Sequence, residues 1–267
     1  MHNSKIAFLL LLCIGLCYSG CDATKKGFNN LNLFPVDDDV RLGEQVSNEI
    51  ESDPSQFPIL REQGNEEVYR YIRNMTNRIL NSSKVQYRDK FKWQVKIIDD
   101  PNTLNAFATP GGYIYVYTGL IKYLDSEDQL AGVMGHEIAH SDRRHSTKQM
   151  TKTVGLALLA EAALGQRAAI KQIVQGLLSL KFSRAHESES DEYSVIYLCE
   201  TGYNPTGAAG FFRKISTRGS GGIPEFFSTH PNPNNRVAEI EKKAKALGCA
   251  TKPEKTTEHA RIKRLLP

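Results

Sequence analysis

"VMGHEIAHSDRRH", Val133 to His145, sets His136 and His140 four residues apart, with Glu137 directly after the first. On an α-helix, positions i and i+4 lie one above the other on one face. Both imidazoles can therefore aim at one ion. Glu137 falls about 100° around the helix from His136. From there its carboxylate can reach a water activated by that ion, without sharing the ligands' face. The residues just before this stretch predict the helix itself. Ser126 followed by Gln129 is a capping box, and Leu130, Val133, Met134 and Ile138 supply an apolar face. A solvated helix with stray histidines would show the same letters, so the reading needs a third ligand.

A catalytic zinc takes three protein ligands and keeps a fourth position open. "SRAHESESDE", Ser183 to Glu192, offers candidates on a later helix. Glu187 and Asp191 form an i, i+4 pair. One carboxylate can bind the ion, while the other orients a ligand histidine through its far nitrogen. His186 and Glu189 lie in the same stretch, and periodicity alone leaves them open. An acidic run of this kind is also what a solvated face carries.

The rest of the chain frames this centre. Its 267 residues are 40% hydrophobic and 24% charged, a globular composition sized for one domain with extensions. A formal charge of +4 is too small to suggest nucleic-acid binding. "IAFLLLLCIGLC", Ile6 to Cys17, is too short to span a bilayer as a helix and suits a signal-peptide core. Ser19 and Gly20 before Cys21 resemble a bacterial lipobox, with Tyr18 departing from the usual aliphatic residue. Cys21 would then carry lipid and tether the protein to a membrane face. An ordinary secretory signal or an uncleaved anchor shares the apolar run. Cys13 and Cys17 leave with the signal, so Cys199 and Cys249 remain as a disulfide or as two buried thiols.

The boundaries expected are a signal over 1–20, a linker over 21–39, the domain over 40–250 and a solvated tail over 251–267. Helical periodicity runs from Val40 and again over Asn65–Leu80. Phe91, Trp93, Val95 and Ile97 alternate with polar residues as in a half-buried strand, and "YIYVYTG" from Tyr113 predicts a second. The apolar stretch Gly155–Gly165 is expected to pack as a helix, with a membrane interface as the alternative. One long helix, or two end to end, is expected up to Gly202, then one over "NPTGAAGFFRKIS" and one over "NNRVAEIEKKAKALG". The fold class is α+β and predominantly helical, with a small sheet beside the HExxH helix.

Four stretches together resemble metallopeptidase family forty-eight, which includes CaaX prenyl proteases and HtpX-type peptidases. They are "NAFATPGGYIYVYTGL", "GHEIAH" with the later "RRH", "FSRAHESESD" with Ser190 where alanine is common, and "STHPNPNNR" with its arginine. The likeness covers about Val40 to Leu247 and is closest to the membrane-attached, single-domain branch.

The resemblance implies a zincin (gluzincin) fold and one Zn2+ per chain, held by His136, His140 and Glu187. It implies Glu137 as general base and Asp191 as the orienting residue. It places His230 near the metal, either donating a hydrogen bond to a developing oxyanion or capping a resting ion. His145, nine residues past His136, is expected to point away and be structural. The strand Tyr113, Ile114, Tyr115, Val116, Tyr117 is expected to offer an exposed edge to an extended substrate. The implied activity is endopeptidase cleavage of unfolded or mislocalised envelope proteins at the periplasmic face of a membrane.

Overall fold

Ser126 opens the helix Glu127–Asp142 by accepting a hydrogen bond from the Gln129 amide. The capping box is half made, because the Gln129 side chain accepts from the Asp125 amide instead of from Ser126. The helix is buried all round from Asp128 to Asp142. Its apolar face explains only one side of that burial. Small residues explain another: a Cβ at Gly132 would lie 2.0 Å from the Ala208 nitrogen. Backbone thus packs on backbone, bringing a neighbouring helix closer than larger side chains would allow.

The computed structural model describes residue 32 and residues 34–177, 179–216, 225–231, 235–251 and 254–267. The signal expected over 1–20, Cys21 and most of the linker lie outside the described residues. The chain divides into a unit ending at Leu33 and a unit Phe34–Pro267. In the second, the described helices are α1 (Val36–Glu51), α2 (Glu66–Leu80), α3 (Thr118–Tyr123), α4 (Glu127–Asp142), α5 (His145–Thr153), α6 (Leu156–Ala163), α7 (Arg167–Leu177), α8 (Arg184–Cys199), α9 (Gly207–Ser216), α10 (Glu225–Thr229), α11 (Arg236–Ala246) and α12 (Thr257–Leu265). The mostly helical class is as the sequence predicts.

The strands are β1 (Gln94–Ile98), β2 (Ala106–Thr109) and β3 (Tyr113–Tyr117), in the order β1-β3-β2. β1 runs parallel to β3, with Lys96 opposite Tyr115, and β2 runs antiparallel to it, with Phe107 opposite Tyr115. The expected exposed edge is therefore corrected: Tyr113 to Tyr117 form the central strand, and all five residues are buried. Side chains alternate across a strand. Ile114 and Val116 enter one apolar cluster with α2 and α4, while Tyr113, Tyr115 and Tyr117 enter another with α1, α6 and α7. Between β2 and β3 the chain reverses through Pro110-Gly111-Gly112. Gly111 sits at φ 75, and a Cβ there would lie 2.8 Å from the Asp39 carbonyl oxygen.

Two boundaries, the start of α1 and the tail, differ from the sequence expectation. α1 begins at Val36, inside the expected linker, because Asp37, Asp38 and Asp39 occupy its first turn and favour the positive helix end. Of the alternatives expected up to Gly202, the stretch forms two helices, α7 and α8. Ser183 stops continuity by capping α8, its hydroxyl accepting from the His186 amide. The tail is not solvated. α12 buries His259 and Ile262, Leu266 just past it is buried too, and the Tyr71 hydroxyl lies 3.0 Å from His259 Nδ1. Cys199, the last residue of α8, is disulfide-bonded to Cys249.

Candidate metal centre

α4 aims His136 and His140 at one point, with their Nε2 atoms 3.0 Å apart. α8 brings Glu187 across from the other side. Its Oε1 is 3.3 Å from His140 Nε2, and its Oε2 is 3.5 Å from His136 Nε2. His230, just past α10, places Nδ1 3.2 Å from Glu187 Oε1. One ligand atom from each of these four residues lies within 4.8 Å of the other three. Atoms set around a tetrahedral zinc at about 2.0–2.1 Å stand about 3.3–3.4 Å from one another. His136, His140 and Glu187 fit that spacing.

Charge favours a cation here. All four residues are fully or almost fully buried. Burial works against charge on His136, yet the hydrogen bond to Asp191 and the neighbouring Glu187 carboxylate lift it to about 9. Burial likewise opposes the Glu187 carboxylate, but the histidines around it hold it well below the usual range. His140 is driven the other way, well down, chiefly by burial. A site that draws positive charge and leaves Glu187 Oε2 without a hydrogen-bond partner is suited to an ion. Glu137, beside His136, is fully buried with neither carboxylate oxygen hydrogen-bonded. Burial pushes its carboxyl up, partly offset by His230, whose Nε2 lies 3.7 Å away.

Asp191, one turn past Glu187 on α8, accepts from His136 Nδ1 at 2.9 Å. Arg236, the first residue of α11, grips Asp191 with two donors and lies 3.3 Å from Glu187 Oε2. Sequence reasoning quoted this arginine within the loop motif and gave it no role. Its signal was weak, since residues 232–234 before it follow no period and Asn235 turns left-handed at φ 68. Phe182 packs 4.1 Å from the His140 ring, and Phe226 stacks at 4.4 Å on His230, closing the cluster in apolar surface.

The alternatives for a third ligand lie elsewhere. Glu189 meets Arg143 and His145, and His186 stacks on the His145 ring at 4.4 Å. His145 itself corrects an expectation. It does not point away but places Nδ1 3.3 Å from His140 Nδ1. Counting turns along one helix fails because α4 stops at Asp142 and Arg144, at φ 58, redirects the chain. Strand β2, not β3, lies at the sheet's edge against this region. Ser146 and Ser141 donate to the Ala108 and Thr109 carbonyls at 3.0 and 3.4 Å. Among the described residues, no helix is long and apolar enough to cross a membrane.

Known proteins are similar to this chain in sequence. The mitochondrial metalloendopeptidase OMA1 of Arabidopsis thaliana is 33% identical over 147 residues, 54% of this chain and 30% of that protein. OMA1 of Schizosaccharomyces pombe is 28% identical over 231 residues, 82% of this chain and 64% of that one. The beta-barrel assembly-enhancing protease of Escherichia coli is 32% identical over 162 residues, 54% of this chain and 33% of that one. The chain thus spans about a third to two thirds of the length of these curated relatives. The profile of peptidase family M48 matches residues 66–244, from the first residue of α2 into α11 and across every member of the cluster. On that match and this geometry, the chain belongs to peptidase family M48.

Proposed function

We propose that this protein is a zinc-dependent endopeptidase, with one Zn2+ held by His136, His140 and Glu187. The observation that carries the reading is Glu137: a buried carboxylate with no hydrogen-bond partner, next to three converging ligand atoms. Bound zinc would supply Lewis acidity, bringing the pKa of a water toward about 7 and polarising a peptide carbonyl. Glu137 takes the proton from that water, and its burial favours holding it. The Glu137 carboxyl then passes the proton to the leaving amine as the C–N bond breaks. His136 is kept in one tautomer and orientation by Asp191, which Arg236 holds in turn. His230 Nε2 has no hydrogen-bond partner and lies 3.7 Å from Glu137 Oε1. It serves either as donor to the developing oxyanion or as a cap on the resting site, and His230→Ala separates the two by losing or retaining turnover.

An extended substrate would pair with an edge of the sheet. β2, one of its two edge strands and the one that contacts α4 and α5, would receive it only once its four residues, buried here, are uncovered. Main-chain pairing of that kind reads little sequence, which suits cleavage of unfolded or mislocalised envelope proteins. Two Escherichia coli and Arabidopsis thaliana relatives named as a protease and a metalloendopeptidase support the class of reaction. The apolar run before Cys21 supports export and a lipid anchor at the periplasmic face of a membrane. Elemental analysis at saturating zinc tests the ligand set. Glu187→Ala should lose the ion, and Glu189→Ala should keep about one per chain. The reverse pattern would overturn the assignment.

A further inference from the structure

Each ligand imidazole on α4 needs a partner for its second nitrogen. With Nε2 turned to the cluster, a neutral ring carries its proton on Nδ1. His136 donates a hydrogen bond with that proton to Asp191. His140 has no carboxylate there. The atom facing its Nδ1, at 3.3 Å, is Nδ1 of His145. A hydrogen bond needs one proton between two nitrogens. If His140 is the donor, His145 Nδ1 is the acceptor, and the His145 proton sits on Nε2. Glu189 Oε2 lies 3.2 Å from that Nε2, and Glu189 Oε1 accepts from Arg143 Nε at 3.0 Å. The Ser190 hydroxyl also approaches His145 Nδ1, at 3.1 Å. The stacked His186 ring, inclined by 14°, and full burial fix the plane of His145.

We propose that His145 and Glu189 are positioning residues of the metal centre, joined in a hydrogen-bond chain from His140 through His145 and Glu189 to Arg143. It parallels the chain from His136 through Asp191 to Arg236, with a neutral imidazole inserted before the carboxylate. Glu189, which binds no metal, thus sets the tautomer of a ligand two bonds away. The proposal rests on His140 being a ligand.

Zinc affinity of the purified full chain tests it, read by chelator competition, with the visible spectrum of the cobalt-loaded form and the thermal midpoint of the metal-free form alongside. His145→Leu should weaken zinc binding about 10- to 100-fold and alter the cobalt spectrum. Glu189→Ala should weaken it about tenfold. Glu189→Gln, whose amide oxygen still accepts from Nε2, should stay within about threefold of the parent. Glu189 is a third exposed, so its variants report even if His145→Leu fails to fold. Parent-like affinity and spectrum in Glu189→Ala would overturn the proposal, whatever happens to the metal-free midpoint. A parent that binds no zinc would overturn the metal-site reading beneath it, which is a different result.

Discussion

Arg236 and Asp191 form a two-pronged pair: Nε donates to Oδ2 at 2.7 Å and Nη2 to Oδ1 at 2.6 Å. Oδ1 also accepts a hydrogen bond from His136 Nδ1. One carboxylate therefore ties α8, α11 and the HExxH helix α4 together. A buried ion pair of this kind is weak evidence for net stability but costly to break on one side. Arg236→Lys keeps the charge and loses the fork. It should lower zinc affinity by about 10- to 100-fold, and Asp191→Ala should do the same. Isothermal titration with zinc checks both, and parent-like binding in the pair would confine Arg236 to packing.

The disulfide between Cys199 and Cys249 closes a separation of 50 residues. In the chain-entropy account a loop of that length stabilises by about 4 kcal/mol. Cys199→Ser with Cys249→Ser should lower unfolding free energy by about 2–4 kcal/mol in urea. Equal midpoints for oxidised and reduced protein would show the bond contributes nothing.

His259 gives the fold a pH dependence. Burial, with Lys263 adding to it, pushes its pKa down to about 4, against about 6.5 in an unfolded chain. The unfolded state therefore binds more protons between those values, so stability is full above pH 6.5 and is lost as pH falls toward 4. Between pH 7 and pH 5 the cost should be about 1–2 kcal/mol. In His259→Gln that share of the slope should vanish, as read by denaturant unfolding at the two pH values. An unchanged slope would point to other groups.

Gly132→Ala places a methyl against the Ala208 backbone. Overpacking where neither backbone can yield should cost about 3 kcal/mol. Thermal unfolding of the metal-free protein reads it, and a neutral result would mean α4 and α9 can part.

The metal centre is legible in the sequence because its parts obey a period. His136, Glu137 and His140 share a helix whose start Ser126 announces, and Glu187 and Asp191 repeat the i, i+4 spacing on another. What escapes obeys no period. His145 reaches His140 only because Arg144 adopts a left-handed turn, and Arg236 reaches Asp191 from just past a left-handed Asn235. The strand Tyr113–Tyr117 misleads for a different reason. Five consecutive apolar or aromatic residues mark burial on both faces, hence a central strand, whereas an edge beside solvent would alternate. The tail carried a readable signal in His259, Ile262 and Leu266 at helical spacing, masked by the charges between them.

The central claim, that Glu137 is the base at a metal held by His136, His140 and Glu187, meets its most direct test in one comparison. Cleavage of unfolded casein is measured for the zinc-loaded parent and for Glu137→Gln carrying the same zinc. The account predicts that the parent cleaves, that a chelator stops it and zinc restores it, and that Glu137→Gln, folded and metal-replete, loses at least about a thousandfold in rate. Parent-like cleavage by Glu137→Gln, or a zinc-loaded parent that cuts nothing, would contradict it.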